Sequence, residues 1–151
     1  MSHIHEKIDF VVDVFIVHEN KVLLRMHEKY HKWLAVGGHI ELDEDPVEAA
    51  LREVKEEVGL DVRLWEGNKR YASADEPHGH LTPPVALNRH HVSPTHEHIS
   101  LAYFAESDTD CVVPEHPDDK WKWFTKEELQ TADLLPDIRF FAALALDTLV
   151  E

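Results

Sequence analysis

The sequence GHIELDEDPVEAALREVKEEVGL, residues 38–60, has the strongest local structural signals in the chain. A glycine turn and an acidic loop precede one amphipathic helix. Asp45 suits the N-cap, Glu48 completes a capping box with it, and Gly59 suits the C-terminal cap. The pattern therefore predicts a helix from about residue 46 to about residue 58, with proline at its first position.

The predicted helix has an apolar face and an acidic face. When residues are placed at intervals of about 100°, the apolar side chains form one stripe, which comprises Val47, Ala50, Leu51, Val54 and Val58. Glu53, Glu56 and Glu57 form a contiguous acidic band away from that stripe. Carboxylates this close repel one another, and a cation would relieve that cost. Oxygen ligands suit hard ions such as Mg²⁺ or Mn²⁺.

Arg52 lies beside the acidic band, one residue before Glu53 and four before Glu56. Its guanidinium can hold a carboxylate by two parallel hydrogen bonds and so orient it for a metal ion. On an arbitrary helix, a solvated acidic face with an ordinary surface ion pair is the more common arrangement. The residues around the helix distinguish the two interpretations.

The stretch resembles the signature of the Nudix hydrolase superfamily, G-x5-E-x7-R-E-U-x-E-E-x-G-U, in which U is aliphatic. The matching residues, all at the family's spacing, are Gly38, Glu44, Arg52, Glu53, Val54, Glu56, Glu57, Gly59 and Leu60. Residues 33–41 and the aromatic segment 121–124 are also similar to the family. The chain departs from it at Val36, where the family often has proline before the two glycines.

The resemblance implies an α/β (α+β) fold, an α/β/α sandwich around a mixed β-sheet, formed by residues 1–151 as a single Nudix domain. It also implies hydrolysis of a phosphate anhydride in a nucleoside diphosphate linked to another group. The implied cofactor is Mg²⁺, with Mn²⁺ as the alternative. The implied partner is a small nucleotide derivative, and homodimers are common in proteins of this kind.

The resemblance also implies roles for individual residues. The implied metal ligands are Glu53, Glu56, Glu57 and the backbone carbonyl of Gly38. Glu44 is expected to support the loop or an outer metal shell, and Arg52 to orient the glutamates. Water would be activated by one carboxylate of the Glu53, Glu56 and Glu57 set or by a glutamate outside the motif. Glu97 is the first candidate for that outside glutamate and Glu76 the second.

The rest of the chain predicts a mixed order of strands and helices. Strands are predicted at 8–17, 22–26, 33–36, 61–65, 98–105 and 120–124, and helices at 126–130 and 136–150. Asn20 is expected to take a left-handed conformation in a hairpin turn. Residues 67–96 read as a long loop with one short strand near 70–73, and Val112 and Val113 as the start of another short strand.

The composition excludes several classes of function. With 15 basic and 30 acidic side chains the formal charge is −15, so the chain should repel nucleic acid polymers. The N-terminus has no signal-peptide pattern, and the longest apolar run is too short to cross a bilayer. The single cysteine, Cys111, is typical of a reducing compartment. These features predict a cytoplasmic protein without membrane partners.

Two other interpretations remain open. The first is a non-catalytic nucleotide-sensing domain of the same fold. The second is a histidine-loop protein that binds a transition metal such as Zn²⁺ or Ni²⁺ through His90, His91 and His96, although the spacing of its histidines matches no closed zinc pattern. The motif does not specify the substrate. Oxidised nucleoside triphosphates, ADP-ribose, dinucleoside polyphosphates and sugar nucleotides all fit it.

Overall fold

A mixed β-sheet between helices forms the protein in the computed structural model, which describes residues 7–71 and 79–150. Its strands are β1 (Ile8–His18), β2 (Lys21–His27), β3 (Lys32–Leu34), β4 (Val36–His39), β5 (Val62–Leu64), β6 (Ala86–Ser93), β7 (His96–Ser107) and β8 (Trp121–Phe124). Its helices are α1 (Pro46–Val58), α2 (Lys126–Thr131) and α3 (Pro136–Thr148). Within the described residues, every helix is too short or too polar to cross a membrane.

Strand β1 is the centre of the sheet. One edge pairs in parallel with β7, from Ile8 opposite Glu97 to Val17 opposite Glu106. The other edge pairs antiparallel with β4 in its first half and with β2 in its second half. Since two strands share this edge, β4 and β2 lie end to end along it, next to the C-terminal half of α1.

The two faces of β1 are covered by different helices, which confirms the predicted α/β/α sandwich. Val12, Val14 and Ile16 point to one side, where they belong to the same core cluster as the buried residues of α1. Phe15 and Val17 point to the other side and pack in the cluster that contains α2 and α3. Alternate residues of β1 thus pack into buried cores on opposite faces of the sheet, which explains why nearly the whole strand is apolar.

The caps of α1 are those that the sequence predicts. The side chain of Asp45 accepts the Glu48 backbone N–H at 2.9 Å, and the Glu48 carboxylate accepts that of Asp45 at 3.0 Å. Gly59 ends the helix in the left-handed conformation, with φ of 69°. The hairpin turn between β1 and β2 is also confirmed, because Asn20 has φ of 63°.

The predicted apolar stripe of α1 is wrong at its edges. Ala49 is fully buried, whereas Leu51 is 39% exposed. The contact surface is therefore centred on small alanines, which allow the helix to lie close to the sheet. Glu57, predicted in the acidic band, is 9% exposed and faces the interior of the site.

Three predicted local structures differ from those observed. Gly37 and Gly38 lie within β4 rather than in a tight turn, because the backbone there pairs with Val12 and Asp13 of β1. The predicted loop 67–96 contains the strand β6, whose mostly polar, exposed residues give no alternating pattern and are held by pairing with β7. Residues 112 and 113 form no strand.

Candidate metal centre and its cavity

Arg52 joins the acidic loop to the acidic face of α1. Its Nε and Nη2 atoms donate to both oxygens of Glu44, at 2.9 and 2.6 Å. Its Nη1 atom donates to Glu53 at 2.9 Å and to Glu56 at 3.2 Å. Nη2 also donates to the backbone carbonyl of His39 at 2.9 Å. One guanidinium therefore fixes three carboxylates relative to one another and to β4.

Glu44 is the most firmly held of these carboxylates. It accepts the Glu41 backbone N–H at 3.0 Å in addition to the fork from Arg52. The hydrogen bonds from Arg52 lower the pKa of Glu44 below its usual range, and those from Glu44 raise the pKa of Arg52. Both groups are charged at neutral pH, so the loop carrying Glu44 is locked to the helix.

Glu57 belongs to a second arrangement on the same helix. One of its oxygens accepts the Gly37 backbone N–H at 2.8 Å, and the other lies 2.7 Å from Arg25 Nη1. Arg25 also lies 3.3 Å from Asp119 through Nη2. Burial raises the pKa of Glu57 to about 7 in spite of Arg25. Burial likewise raises the pKa of Glu53.

The two glycines of β4 allow a close approach that other residues would prevent. A Cβ atom at Gly37 would lie 1.9 Å from the backbone oxygen of Val12. A Cβ atom at Gly38 would lie 2.4 Å from the carboxyl carbon of Glu53. The backbone of Gly38 therefore lies directly against the Glu53 carboxylate.

A cavity of about 670 Å³ opens beside these residues. Gly37, Gly38 and Glu57 line one part of its wall, and Asp137 and Ile138 at the start of α3 line another. Its floor includes Asp13 of β1, which accepts a short hydrogen bond from the Ser100 hydroxyl. Burial raises the pKa of Asp13 despite that hydrogen bond.

A group of histidines surrounds Asp9 on the same face of the sheet. Asp9 Oδ2 lies 3.1 Å from His96 Nε2 and 3.8 Å from His39 Nε2. The ring of His98 stacks edge-on against those of His39 and His90, with centroid distances of 5.0 and 5.7 Å. His39, His90 and His98 line the cavity. Burial, followed by the neighbouring imidazoles, lowers the pKa of His98 to about 4.

Comparison with known proteins identifies the family of this fold. The family model for the NUDIX domain matches residues 8–144. A crystal structure of a hydrolase of the NUDIX family from Clostridium perfringens is 40% identical, with a TM-score of 0.85, over 93% of this chain and 97% of that chain. The chain belongs to the Nudix hydrolase family.

More distant structures share the fold of this Nudix hydrolase. The crystal structure of a MutT NUDIX hydrolase from Burkholderia pseudomallei is 19% identical, with a TM-score of 0.65, and covers 96% of this chain and 100% of that chain. That of an ADP-ribose pyrophosphatase from Streptococcus suis is 18% identical, with a TM-score of 0.59, over 95% and 92%. At such low identity, these similarities concern the fold alone.

Glu97, the first candidate glutamate outside the motif, is paired with an arginine in this Nudix hydrolase. Glu97, expected just before a strand, lies within β7 and accepts both Nε and Nη2 of Arg89, at 2.6 and 2.9 Å. Those hydrogen bonds lower the pKa of Glu97. Glu97 is not among the residues that line the cavity. Glu76, the second candidate, lies outside the described residues.

Sequence reasoning missed three charged residues beside the carboxylates of α1. Arg25 holds Glu57 and is itself paired with Asp119. The backbone N–H of Glu115 donates to the carbonyl of Glu57 at 3.1 Å, and its charge contributes to the raised pKa values of both Glu53 and Glu57. These contacts join segments far apart in sequence, and nothing in the sequence around Arg25 or Glu115 marks them.

Proposed function

We propose that this Nudix hydrolase cleaves a phosphate anhydride in a nucleoside diphosphate linked to another group. Nudix hydrolases act on small nucleotide derivatives, and we assign this chain to the same class of substrate. The observation that carries the proposal is the Arg52-centred cluster, which fixes Glu53 and Glu56 on the same helix as Glu57, and Glu57 lines a cavity large enough for a small ligand. The family match over residues 8–144 supports its action as one domain.

The residues fit a divalent metal ion, and we propose Mg²⁺, with Mn²⁺ as the alternative. Glu53, Glu56 and Glu57 offer only oxygen atoms, which hard cations prefer. Gly38 has no side chain to separate its backbone from Glu53, where a Cβ atom would fill the space. Burial disfavours the charged forms of Glu53 and Glu57, and a cation would offset that cost.

A divalent ion bound there would neutralise charge on the phosphate oxygens and lower the pKa of an attacking water. The protein's own residues keep the carboxylates in position. Arg52 orients Glu53 and Glu56, and Glu44 in turn holds Arg52 from the loop. Arg25 and the Gly37 N–H fix the two oxygens of Glu57. Such fixed orientation reduces the reorganisation required during reaction.

The residue that takes a proton from water is proposed to lie among the carboxylates of α1. The hydrogen bonds from Arg89 lower the pKa of Glu97 and so make it a weaker base, and Glu97 is not among the residues that line the cavity. Outside the motif, Glu115 is the glutamate whose charge acts on both Glu53 and Glu57. We assign Glu115 a role in setting the pKa values of those two carboxylates rather than contact with the reacting atoms.

A screen of nucleotide derivatives with Mg²⁺ tests the proposal. It should include the four substrate classes that fit the motif, with release of phosphate or a monophosphate as the readout. We expect turnover of at least one compound, and a fall of about 10²- to 10⁴-fold in kcat for Glu57→Gln. Glu127→Gln, an exposed residue of α2, is the matched control and should retain the native rate.

Absence of turnover across the whole panel with both Mg²⁺ and Mn²⁺ would contradict the proposal. Tight nucleotide binding without turnover would instead identify the chain as a sensing domain of the same fold. Retained turnover in Glu57→Gln would show that the proposed ligand is not needed for catalysis. Calorimetry and kinetics on the same preparations separate these outcomes.

A further inference from the structure

A second set of potential metal ligands lies on the sheet, outside the carboxylate cluster of α1. Asp9 of β1, His39 of β4 and His98 of β7 each offer one ligand atom, and these atoms all lie within 4.8 Å of one another. The side chain of Asp9 is only 2% exposed. The fixed positions of the Nudix signature include none of these residues.

Strand register holds the three side chains on one face of the sheet. Asp9 lies opposite His98 in the parallel pairing of β1 with β7. His39 lies opposite Val11 in the antiparallel pairing of β1 with β4, and Val11 points to the same face as Asp9. Ligands on paired strands are positioned more accurately than ligands on loops.

The donor set differs in kind from that of α1. Two imidazole nitrogens and one carboxylate oxygen suit Zn²⁺ and similar transition-metal ions, whereas Mg²⁺ takes oxygen ligands. Ligands of tetrahedral zinc lie about 3.3 Å apart, given metal–ligand distances of about 2.0–2.1 Å. Asp9 Oδ2 and His39 Nε2 are 3.8 Å apart, and since all pairs in the group lie within 4.8 Å, none would need to close by more than about 1.5 Å.

We propose that Asp9, His39 and His98 form a binding site for a divalent transition-metal ion of the Zn²⁺ class, separate from the carboxylate cluster of α1. His96, whose Nε2 lies 3.1 Å from Asp9 Oδ2, orients the carboxylate.

The site would leave a coordination position open on the cavity side. Three protein ligands with one open position are typical of zinc sites that meet water or a ligand, whereas structural sites have four protein ligands. His39 and His98 line the same cavity as Glu57. An ion held there would therefore add positive charge to the cavity wall, in a chain whose formal charge is −15.

Calorimetric titration of the metal-free protein with Zn²⁺ in excess Mg²⁺ tests the site. The Mg²⁺ occupies the oxygen ligands, so one equivalent of Zn²⁺ is expected to bind to the histidines. The double variant Glu53→Gln/Glu57→Gln should still bind one equivalent. His98→Ala should bind at least tenfold more weakly, about 1.4 kcal/mol. His116→Ala, an exposed histidine beside Glu115, is the matched control and should bind like the native protein.

A second readout is spectroscopic and begins with the native protein. Co²⁺ in place of Zn²⁺ should give visible absorption bands whose intensity and position report nitrogen and oxygen ligands in a four-coordinate site. Asp9→Asn and His39→Gln should weaken these bands, with circular dichroism confirming that both variants are folded. Because the readout is metal binding, it stands apart from the nucleotide hydrolysis test.

Two results would overturn the proposal. One is a native protein that binds no Zn²⁺ when Mg²⁺ is in excess. The other is Zn²⁺ binding that survives in Asp9→Asn and His98→Ala but disappears in the Glu53→Gln/Glu57→Gln variant. Either result would make the histidines ion-pair partners of Asp9 or contacts for an anionic ligand, without a metal ion of their own.

Discussion

Glu57 of the carboxylate cluster on α1 and two histidines of the Asp9, His39 and His98 cluster line one cavity, but the two clusters are built in different ways. The first depends on spacing within one helix, since Arg52, Glu53 and Glu56 lie within five consecutive residues. The second depends on the register of strands, since Asp9 and His98 come from distant parts of the chain. Local spacing fixes the geometry of the first cluster, and tertiary pairing alone fixes that of the second.

The clusters also differ in how their charge is balanced. Arg52 compensates the carboxylates of α1, and a bound cation would add to that compensation. Asp9 supplies the negative charge among the histidines, where it lies close to His39 and His96. A hard ion therefore suits the carboxylate cluster of α1, and a softer ion suits the histidine cluster of the sheet. Variants that disturb one cluster at a time can test whether the two are independent.

Substitutions of the two glycines of β4 should give the largest effects, one on the stability of the fold and the other on turnover. In Gly37→Ala the new Cβ atom would meet the backbone oxygen of Val12 at 1.9 Å, so we expect a loss of about 3 kcal/mol or more in the free energy of unfolding. In Gly38→Ala it would meet the movable end of Glu53 at 2.4 Å, so we expect a folded protein with about 10²-fold lower turnover.

Urea unfolding and Mg²⁺-dependent kinetics on both variants check this contrast. The histidine cluster should still bind Zn²⁺ in Gly38→Ala, because its side chains do not depend on the Glu53 position. Equal destabilisation of both variants would show that the closeness of Gly38 to Glu53 is a packing constraint and has no specific role in metal binding.

The accuracy of the sequence predictions follows the same division between local and tertiary causes. The caps at Asp45 and Gly59 were predicted correctly because they depend on residues three or four positions away. The exposure of Leu51 was not, because it depends on where α1 lies on the sheet. The strand β6 was missed since its polar sequence has no period and only its pairing with β7 defines it.

In the candidate site too, contacts that depend on tertiary structure could not be predicted from the sequence. The motif places Glu57 in the acidic band but does not indicate Arg25, which contacts it across 32 positions of sequence from β2. Glu97 was chosen because it precedes a predicted strand, and its pairing with Arg89 could only be seen once β6 and β7 were aligned. The sequence interpretation names His90, His91 and His96 as metal ligands, whereas the group that the structure brings together is Asp9, His39 and His98.

Replacing Arg52 by lysine tests whether the guanidinium fork holds the carboxylates. Lysine keeps the charge but cannot bind both oxygens of Glu44 while also reaching Glu53. We expect a fall of about 10- to 100-fold in kcat/KM and a weaker apparent Mg²⁺ affinity. Arg63→Lys is the control, because Arg63 pairs with Asp108 on the exposed surface. Similar kinetics for both variants would contradict the orienting role.

The pH dependence of stability tests the environment of Glu57 in the metal-free protein. Its pKa is raised to about 7 when folded, against an ordinary value of about 4.3 when unfolded. The stabilising contribution of this group is therefore fully present below about pH 4.3 and is lost as the pH rises through about 7. Glu57→Gln should be more stable than the native protein at pH 8, by about 1–2 kcal/mol, and this advantage should shrink by pH 5.

Thermal unfolding at both pH values, with and without Mg²⁺, measures this difference. Added Mg²⁺ should stabilise the native protein at pH 8 more than it stabilises Glu57→Gln, because the variant lacks a ligand. An advantage of the variant that is the same at pH 5 and pH 8 would show that Glu57 does not titrate in this range.

The smallest effects are expected for the glutamates outside the motif, Glu115 and Glu97. The charge of Glu115 contributes to the raised pKa values of both Glu53 and Glu57. Glu115→Gln should therefore lower kcat by about tenfold and shift the acidic limb of the pH–rate profile. Glu97 is held by two hydrogen bonds from Arg89, so Glu97→Gln should change kcat by less than about threefold. The pH–rate profile distinguishes a change in the pKa values of Glu53 and Glu57 from a purely structural effect. A structural effect would lower the rate equally at all pH values. A larger loss of kcat in Glu97→Gln than in Glu115→Gln would reassign the general base to Glu97 on β7. It would also give the strand that carries His98 a part in catalysis.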